Sequence, residues 1–180
     1  LGGGPGSWIG NIHRIASRID GKYIICAGSF SRNAKISNTF GASLNLDKNR
    51  CYSNYKTMAD TEFKRNDGID VVAIMTPPGS HQEIAEYFIK KNFHVISDKP
   101  FASTYSQAKK LYSTIKKNKK IIYGLTHNYS AYPMVRMAKK LVKDGKIGNI
   151  EFVNVEYVQD WSKGIIVNKK NSKKIFRWKL

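Results

Sequence analysis

Residues 2–10 read Gly-Gly-Gly-Pro-Gly-Ser-Trp-Ile-Gly and pass directly into a stretch with apolar residues at helical spacing. Glycines allow a backbone to approach a pyrophosphate closely, and the amides and positive dipole end of a following helix then face the phosphates. A flexible terminus without a ligand is the alternative for a glycine run by itself. The helical pattern that follows favours a phosphate-binding turn.

The glycine spacing departs from the standard G-x-G-x-x-G pattern of dinucleotide-binding turns. Gly2 and Gly4 fit its first two positions, whereas the third glycine, Gly10, comes about three residues late. The first predicted cofactor contacts are the residues of this turn: Gly2, Gly4, Gly6, Ser7, Trp8, Ile9 and Gly10.

Four short apolar runs have the pattern of buried parallel strands, at residues 23–27, 71–75, 94–97 and 121–125. Apolar residues at helical spacing lie over residues 9–19, 84–89 and 108–115. Strands alternating with helices predict an α/β fold with a doubly wound parallel sheet of the Rossmann type.

The pattern changes after residue 126. A helix is expected from about Met134 to Lys143, and residues 150–158 alternate apolar and polar like a half-solvated strand. We therefore predict a nucleotide-binding domain over residues 1–127 and the start of a second α/β domain over residues 128–180. Because one strand cannot bury a face of its own, we expect the natural protein to extend beyond this sequence.

The composition excludes several classes of protein. With 180 residues, 41% of them hydrophobic, the chain can bury a core, which argues against disorder. No run approaches the ~18 apolar residues of a membrane span, so we expect no membrane partner and a cytoplasmic location. Cys26 and Cys51 form neither a disulfide framework nor a CxxC motif, which predicts reduced thiols and no metal site.

The charge is strongly basic and unevenly placed. The chain has 31 Lys and Arg against 13 Asp and Glu, a net charge of +18. Residues 1–100 hold 13 basic and 9 acidic residues (+4), and residues 101–180 hold 18 and 4 (+14). A basic half can bind nucleic acid, an anionic membrane or a phosphate ligand, but a solvated lysine-rich surface is the favoured interpretation.

The segment after the first apolar run reads Gly-Ser-Phe-Ser-Arg over residues 28–32. This position selects the cofactor ribose in a dinucleotide fold, where an acid would bind the 2′-hydroxyl of NAD. Ser31 and Arg32 suit a 2′-phosphate instead, so NADP is weakly favoured over NAD. Equally open is a structural interpretation in which Ser31 caps the next helix and Arg32 is a surface residue.

Two more strand ends carry candidate ligands, because ligands bind at the carboxyl ends of parallel strands. One reads Thr76-Pro77-Pro78-Gly79-Ser80-His81, in which the prolines form a rigid wall and Ser80 is placed to cap the next helix. A structural role is favoured over a catalytic one for His81, at a helix start.

The other end reads Asp98-Lys99-Pro100. Lys99 can hydrogen-bond ribose and substrate hydroxyls and steer a proton during hydride transfer. Taken alone, the tripeptide is also compatible with a simple turn at the end of the strand that has no role in ligand binding.

Together these segments resemble the Gfo/Idh/MocA oxidoreductases (glucose-fructose oxidoreductase, inositol dehydrogenase and MocA-like proteins). The glycine turn with Gly10-Asn11-Ile12-His13 is similar to the family's turn and its G-x-x-H element. Residues 76–81 resemble its T-P-x-x-x-H element, and Asp98-Lys99-Pro100 resembles its E-K-P signature. Residues 128–133 and 143–148 resemble the entry to its second domain.

The resemblance implies an NAD(P)-dependent oxidoreductase that acts on a hydroxyl or carbonyl of a sugar, inositol or related polyol. It makes Lys99 the catalytic lysine, and it places Ser31, Arg32, Thr76, Pro77, Pro78, His81, Asp98, Lys99 and Pro100 with the glycine turn around the cofactor. It also implies a homo-oligomer assembled through the second domain.

Three departures from the family pattern matter. Asp98 replaces the glutamate of the signature, Pro78 replaces a common Asn, and an arginine common before Pro133 has no match. We therefore expect His127, Asn128 and Tyr129 to shape the substrate pocket with Lys99. The family's acid/base residues would lie after residue 180, so this chain alone is expected to be inactive. The alternative function is a non-catalytic module that binds a dinucleotide, or nucleic acid through its basic half.

Overall fold

The computed structural model describes residues 1–158, which form two compact units, Leu1–His127 and a second that starts at Asn128. The elements of the first unit are α1 (Trp8–Arg18), α2 (Ala34–Ser43), α3 (Tyr55–Phe63), β1 (Val71–Ile74), α4 (His81–Ile89), β2 (His94–Asp98), α5 (Tyr105–Lys117) and β3 (Tyr123–Thr126). Short 3₁₀ turns lie at Lys48–Arg50 and Pro78–Ser80.

The sheet of the first unit has three parallel strands in the order β1-β2-β3. Val72 lies opposite Val95, and Ile96 lies opposite Gly124. Since a helix connects each strand to the next, the chain has the predicted α/β architecture with a parallel sheet.

The core of the first unit lies between the sheet and the helices that cross it. β1 and β2 bury alternate side chains, and α4 packs against both strands and against α5. The best-buried apolar residues of these elements are Val72, Ile74, Ala85, Phe88, Ile89, Val95 and Leu111. Each large side chain buried in this way contributes about 1.5–3 kcal/mol to folding, so this core fixes the strand ends that carry the site.

The strand predicted at residues 23–27 is wrong. Only Gly28 at its end forms a bridge, with Cys51, and Ile24 keeps 87% of its side chain exposed. The Gly2 amide donates to the Ser29 carbonyl (2.9 Å), just beyond this segment. A strand needs a neighbour along its length, and none of the described residues pairs with residues 23–27.

A buried ion pair fastens this region instead. Arg50 donates to both carboxylate oxygens of Glu62, and the Tyr52 hydroxyl donates to the same carboxylate (2.8 Å). The Gly28 amide donates to the Arg50 carbonyl (3.0 Å), and Arg50 Nη2 lies 3.3 Å from Cys26 Sγ. Arg50 thus links residues 26–28 to α3, through its side chain at Cys26 and Glu62 and through its carbonyl at Gly28.

In the second unit, a 3₁₀ turn at Asn128–Ala131 precedes α6 (Pro133–Lys143), which agrees with the predicted helix. The strand predicted at residues 150–158 is wrong, because no residue there has strand pairing within the described part of the chain. All described residues of this unit are exposed, so none of them buries the apolar residues of the alternating pattern. Within residues 1–158, no helix has both the length and the apolar character to cross a bilayer.

Candidate cofactor-binding site

The glycine turn leaves the sheet edge at the carboxyl end of β1. The Met75 amide donates to the Leu1 carbonyl (2.9 Å), and Gly2 makes an isolated parallel bridge with Met75. Gly2 and Gly3 have φ values of +73° and +64°, which favour glycine. The turn therefore starts at the strand edge where ligands of parallel sheets bind.

Four glycines of the turn, Gly2, Gly3, Gly4 and Gly10, lie where no side chain fits. A Cβ on Gly10 would lie 2.3 Å from the Gly3 carbonyl oxygen, and one on Gly4 would lie 2.4 Å from the Phe30 carbonyl oxygen. Gly10 thus allows α1 to cross the turn at backbone contact, the role of the third glycine of the standard pattern, despite its late position. Gly6, with φ +72°, has open space around it.

The N-terminus of α1 presents unpaired amides at this turn. Ser7 caps the helix by accepting a hydrogen bond from the Gly10 amide (3.1 Å), and its own amide donates to the Gly4 carbonyl (3.0 Å). The amides of Trp8 and Ile9 have no acceptor among residues 1–158, and the first turn contains no acidic residue. Two free amides at the positive end of a helix form an anion site.

Sequence reasoning missed two residues of the turn, Gly3 and Arg14. Gly3 forms the crossing with Gly10, and its carbonyl accepts a hydrogen bond from Arg14 Nη1 (2.7 Å). The Arg14 guanidinium also lies 5.2 Å from the centre of the Phe40 ring. Arg14 directly follows His13 of the G-x-x-H element and gave no motif signal of its own, because its partner is a backbone carbonyl.

The segment predicted to select the ribose follows Gly28. The Phe30 amide donates to Ser37 Oγ (3.0 Å), and Ser31 Oγ accepts from the Asn33 amide (3.1 Å). Asn33 caps α2 through the Ile36 amide, so the alternative that Ser31 caps this helix is wrong. The exposed Arg32 has no partner within the described residues.

After β1, the predicted wall at residues 76–81 forms a short turn into α4. Ser80 precedes α4, but its hydroxyl lies 2.8 Å from both Thr76 Oγ1 and the Pro77 carbonyl and caps no amide, which corrects its predicted capping role. His81 is 1% exposed, and its ring nitrogens lie 2.7 Å from the Thr76 carbonyl and 2.9 Å from the Pro100 carbonyl. This ring faces the protein and not the open edge, so its predicted cofactor contact is replaced by a structural one.

At the end of β2, Asp98 accepts a hydrogen bond from Thr126 Oγ1 (2.8 Å), a residue of β3 that sequence reasoning missed. The Asp98 carboxylate also acts on His13 of α1: burial lowers the pKa of His13, and Asp98 partly opposes that effect. Lys99 and Pro100 are exposed, and the Lys99 ammonium has no partner in the part of the chain that the structure describes.

The predicted cofactor segments of the first unit therefore meet at one edge. Gly2 lies against the backbone of Thr76, and Gly4 lies against Phe30. His81 joins Thr76 to Pro100. The pocket residues predicted for the substrate are divided: His127 ends the first unit, whereas Asn128 and Tyr129 belong to the second.

Most of the basic residues in the described part of the second unit lie on α6. Arg136, Lys139, Lys140 and Lys143 follow one helix face and line an open cavity of about 560 Å³, with Asp144 paired to Lys140. Because a salt bridge and solvent already accompany these cations, the face is typical of a solvated basic helix. The predicted alternative of nucleic-acid binding stays a prediction.

A parallel α/β sheet with a glycine turn, free helix amides and a lysine at the next strand end defines a dinucleotide-binding domain. A model of the oxidoreductase family with an NAD-binding Rossmann fold (Gfo/Idh/MocA) matches residues 12–127. The chain belongs to this family, which confirms the resemblance and the fold class. The match begins after the glycine turn, so the role of the turn rests on its geometry.

Three relatives illustrate the similarity. The oxidoreductase YfiI of Bacillus subtilis is 37% identical over 158 residues, 87% of this chain and 40% of that protein. Levoglucosan dehydrogenase of Pseudarthrobacter phenanthrenivorans is 39% identical over 94 residues, 52% of this chain and 24% of that protein. The crystal structure of an inositol dehydrogenase homolog from Azotobacter vinelandii, with NADH and myo-inositol, aligns with a TM-score of 0.79 at 34% identity, covering 83% of this chain and 39% of that one. The chain thus spans two fifths or less of the length of these relatives.

Proposed function

We propose that the protein is an NAD(H)-dependent oxidoreductase that interconverts a hydroxyl and a carbonyl on a sugar, inositol or related polyol. The observation that carries the proposal is the pair of free Trp8 and Ile9 amides at the N-terminus of α1, above backbone that only glycine allows at Gly3, Gly4 and Gly10. The polyol class is supported by relatives named for inositol and levoglucosan.

In this proposal the first unit, residues 1–127, holds the cofactor. The amides of Trp8 and Ile9 bind the pyrophosphate, with Gly2, Gly4, Gly6 and Ser7 in the same turn. When bound, the nicotinamide supplies hydride exchange with the substrate carbon. Thr76, Pro77 and Pro78 form the wall beside the turn, since Thr76 lies against Gly2. The second unit, from residue 128, contributes to the substrate side.

Lys99 is the catalytic residue of the proposal. Its ammonium is exposed at the carboxyl edge of the sheet, with Asp98 and Pro100 as fixed neighbours. From there it donates hydrogen bonds to the nicotinamide ribose and to the reacting hydroxyl, which orients that hydroxyl and favours its oxyanion form. His127, Asn128 and Tyr129 are the other substrate-binding residues of the proposal.

The choice of cofactor rests on a short segment. NAD(H) is the cofactor supported by the family description and by the NADH complex of the Azotobacter relative. The predicted preference for NADP depends on Ser31 and Arg32, and the free Arg32 side chain is its structural support. Comparison of NADH with NADPH for the wild type and Arg32→Ala decides between them, because Arg32→Ala weakens only NADPH if Arg32 binds a 2′-phosphate. A homo-oligomer and a cytoplasmic location stay predictions.

A matched pair of variants tests the pyrophosphate site. Ser7→Asn and Ser7→Asp both keep a good helix cap, but only aspartate adds a negative charge beside the two free amides. We expect Ser7→Asn to bind NADH like the wild type and Ser7→Asp to bind about tenfold or more weakly in a fluorescence titration. Equal affinities in two folded variants would remove the pyrophosphate from this turn.

A second titration separates the oxidoreductase from the basic module. NADH binding through fixed amides persists at moderate salt, whereas binding of a DNA duplex through lysines falls steeply as counterions compete. DNA binding of this kind, together with no NADH binding by a folded sample, would contradict the proposal and favour the alternative function.

A further inference from the structure

We propose that His81 and Thr126 are positioning residues that hold Lys99 in place from its two sides without touching the cofactor or the substrate. The inference rests on the proposed function for the meaning of Lys99, but the geometry behind it is independent of any ligand. Lys99 is exposed and has no partner in the described chain, so its place depends on its two neighbours in sequence.

On one side, His81 holds Pro100. The ring is 1% exposed at the first turn of α4, with Nδ1 2.9 Å from the Pro100 carbonyl and Nε2 2.7 Å from the Thr76 carbonyl. Both of these oxygens belong to backbone carbonyls, one in the segment after β1 and one in the segment after β2. The histidine therefore joins the wall beside the glycine turn to the peptide that follows Lys99.

On the other side, Thr126 holds Asp98. Its hydroxyl lies 2.8 Å from Asp98 Oδ1 and 3.3 Å from the Ser97 carbonyl, and β3 pairs directly with β2 at this point. The side chain of Asp98 is thereby engaged by the neighbouring strand, not by Lys99. The last residue of β2 is fixed to the sheet at both backbone and side chain.

The two contacts have one consequence for the site. A long side chain on an exposed turn reaches a ligand reproducibly only if its Cα is fixed, and displacement by about 1 Å can cost 100-fold in rate. Lys99 has a fixed residue on each side, although its own side chain is free to contact a ligand. His81 and Thr126 are thus expected to act on the ligand only through Lys99.

A double-mutant cycle tests this coupling. Thr126→Val removes the hydroxyl at nearly constant shape, and Thr126→Ser keeps it as the matched control. We expect Thr126→Val to weaken NADH binding about threefold to tenfold, Thr126→Ser to bind like the wild type, and Lys99→Ala to abolish the difference between Val and Thr at residue 126. An equal loss from Thr126→Val with and without Lys99 would show a general structural role and overturn the inference.

His81→Gln is the second variant, since glutamine reaches only one of the two carbonyls. Its effect is read without cofactor, from the NMR order parameter of the Lys99 amide. We expect a fall from about 0.85 in the wild type to about 0.6 or lower in His81→Gln and Thr126→Val, but not in Thr126→Ser. A rigid Lys99 in both variants overturns the positioning role. If the variants show these NMR changes but the wild type binds no NADH, the proposed function is overturned and the positioning of Lys99 stands.

Discussion

Residues 71–74 and residues 23–27 carry the same short apolar pattern, yet only the first forms a strand. β1 pairs along its length with β2 and buries Ile74 completely, whereas Ile24 is 87% exposed. The second segment is held at its end by Gly28 and by the buried Arg50–Glu62 pair. The difference shows that a neighbouring strand, and not the apolar pattern alone, determines where a strand forms.

The largest effect on stability is expected at the buried Arg50–Glu62 pair, which holds residues 26–28. Glu62→Gln leaves the buried Arg50 guanidinium with only the exposed Asp67 carboxylate (3.5 Å), and removing one partner of a buried pair costs about 3–5 kcal/mol of unfolding free energy. Chemical denaturation measures the loss. Asp60→Asn, on the same helix but half-buried, is the control and should cost far less. Similar losses for both variants would show that the buried pair does not fasten residues 26–28.

The next effect separates the two apolar segments directly. Ile74→Ala opens a cavity in the core and is expected to lower the unfolding free energy by about 2–5 kcal/mol. Ile24→Ala changes an exposed side chain and should stay within about 0.5 kcal/mol of the wild type. A large loss at Ile24 in the same urea titration would show that residues 23–27 bury their side chains in solution.

A smaller effect on stability, with a large effect on NADH binding, is expected in the glycine turn at residues 2–10. Gly10→Ala forces α1 away from the Gly3 carbonyl, at a cost of about 1–3 kcal/mol for overpacking, and should abolish NADH binding. Gly124→Ala is the control, because its Cβ would lie 3.8 Å from Ile96. Calorimetric titration should find NADH bound by the control alone. Retained binding in Gly10→Ala would mean that the close crossing is not required.

The smallest expected effect on stability depends on pH. It concerns the ion pair between Lys91 and Asp60, the residue changed in the control variant above. Lys91, followed by the Tyr87 hydroxyl, lowers the pKa of Asp60 below its ordinary value of 3.8. The ionised carboxylate therefore stabilises the fold above about pH 3.8, and this contribution is lost as the pH falls through the lowered pKa. The stability difference between wild type and Asp60→Asn should narrow from pH 7 to pH 3. A difference that widens toward acid would contradict this sign.

The sequence predicted the parts of the fold that local patterns encode. The runs at 71–75, 94–97 and 121–125 overlap β1, β2 and β3, and the three helical stripes correspond to α1, α4 and α5. The strands predicted at residues 23–27 and 150–158 do not form, and both predictions failed for the same reason. Each pattern describes a strand with a partner, and pairing depends on residues distant in sequence.

The candidate site shows the same limit. Glycines and strand-end residues could be found from spacing, because backbone geometry demands particular residue types there. Thr126, Arg14 and Gly3 were missed, since their partners are a carboxylate on another strand or backbone carbonyls. The ring of His81 matched a motif, but only the structure places both of its nitrogens against carbonyl oxygens.

The most direct test of the account follows the backbone amides of the whole chain during an NADH titration by NMR. We predict that the amide signals of Trp8 and Ile9 shift most, with an affinity for NADH near micromolar. The amide signals of the basic face of α6, at residues 136–143, should stay unchanged at moderate salt. Shifts confined to that basic face, or none in a folded sample, would contradict a dinucleotide site at the glycine turn.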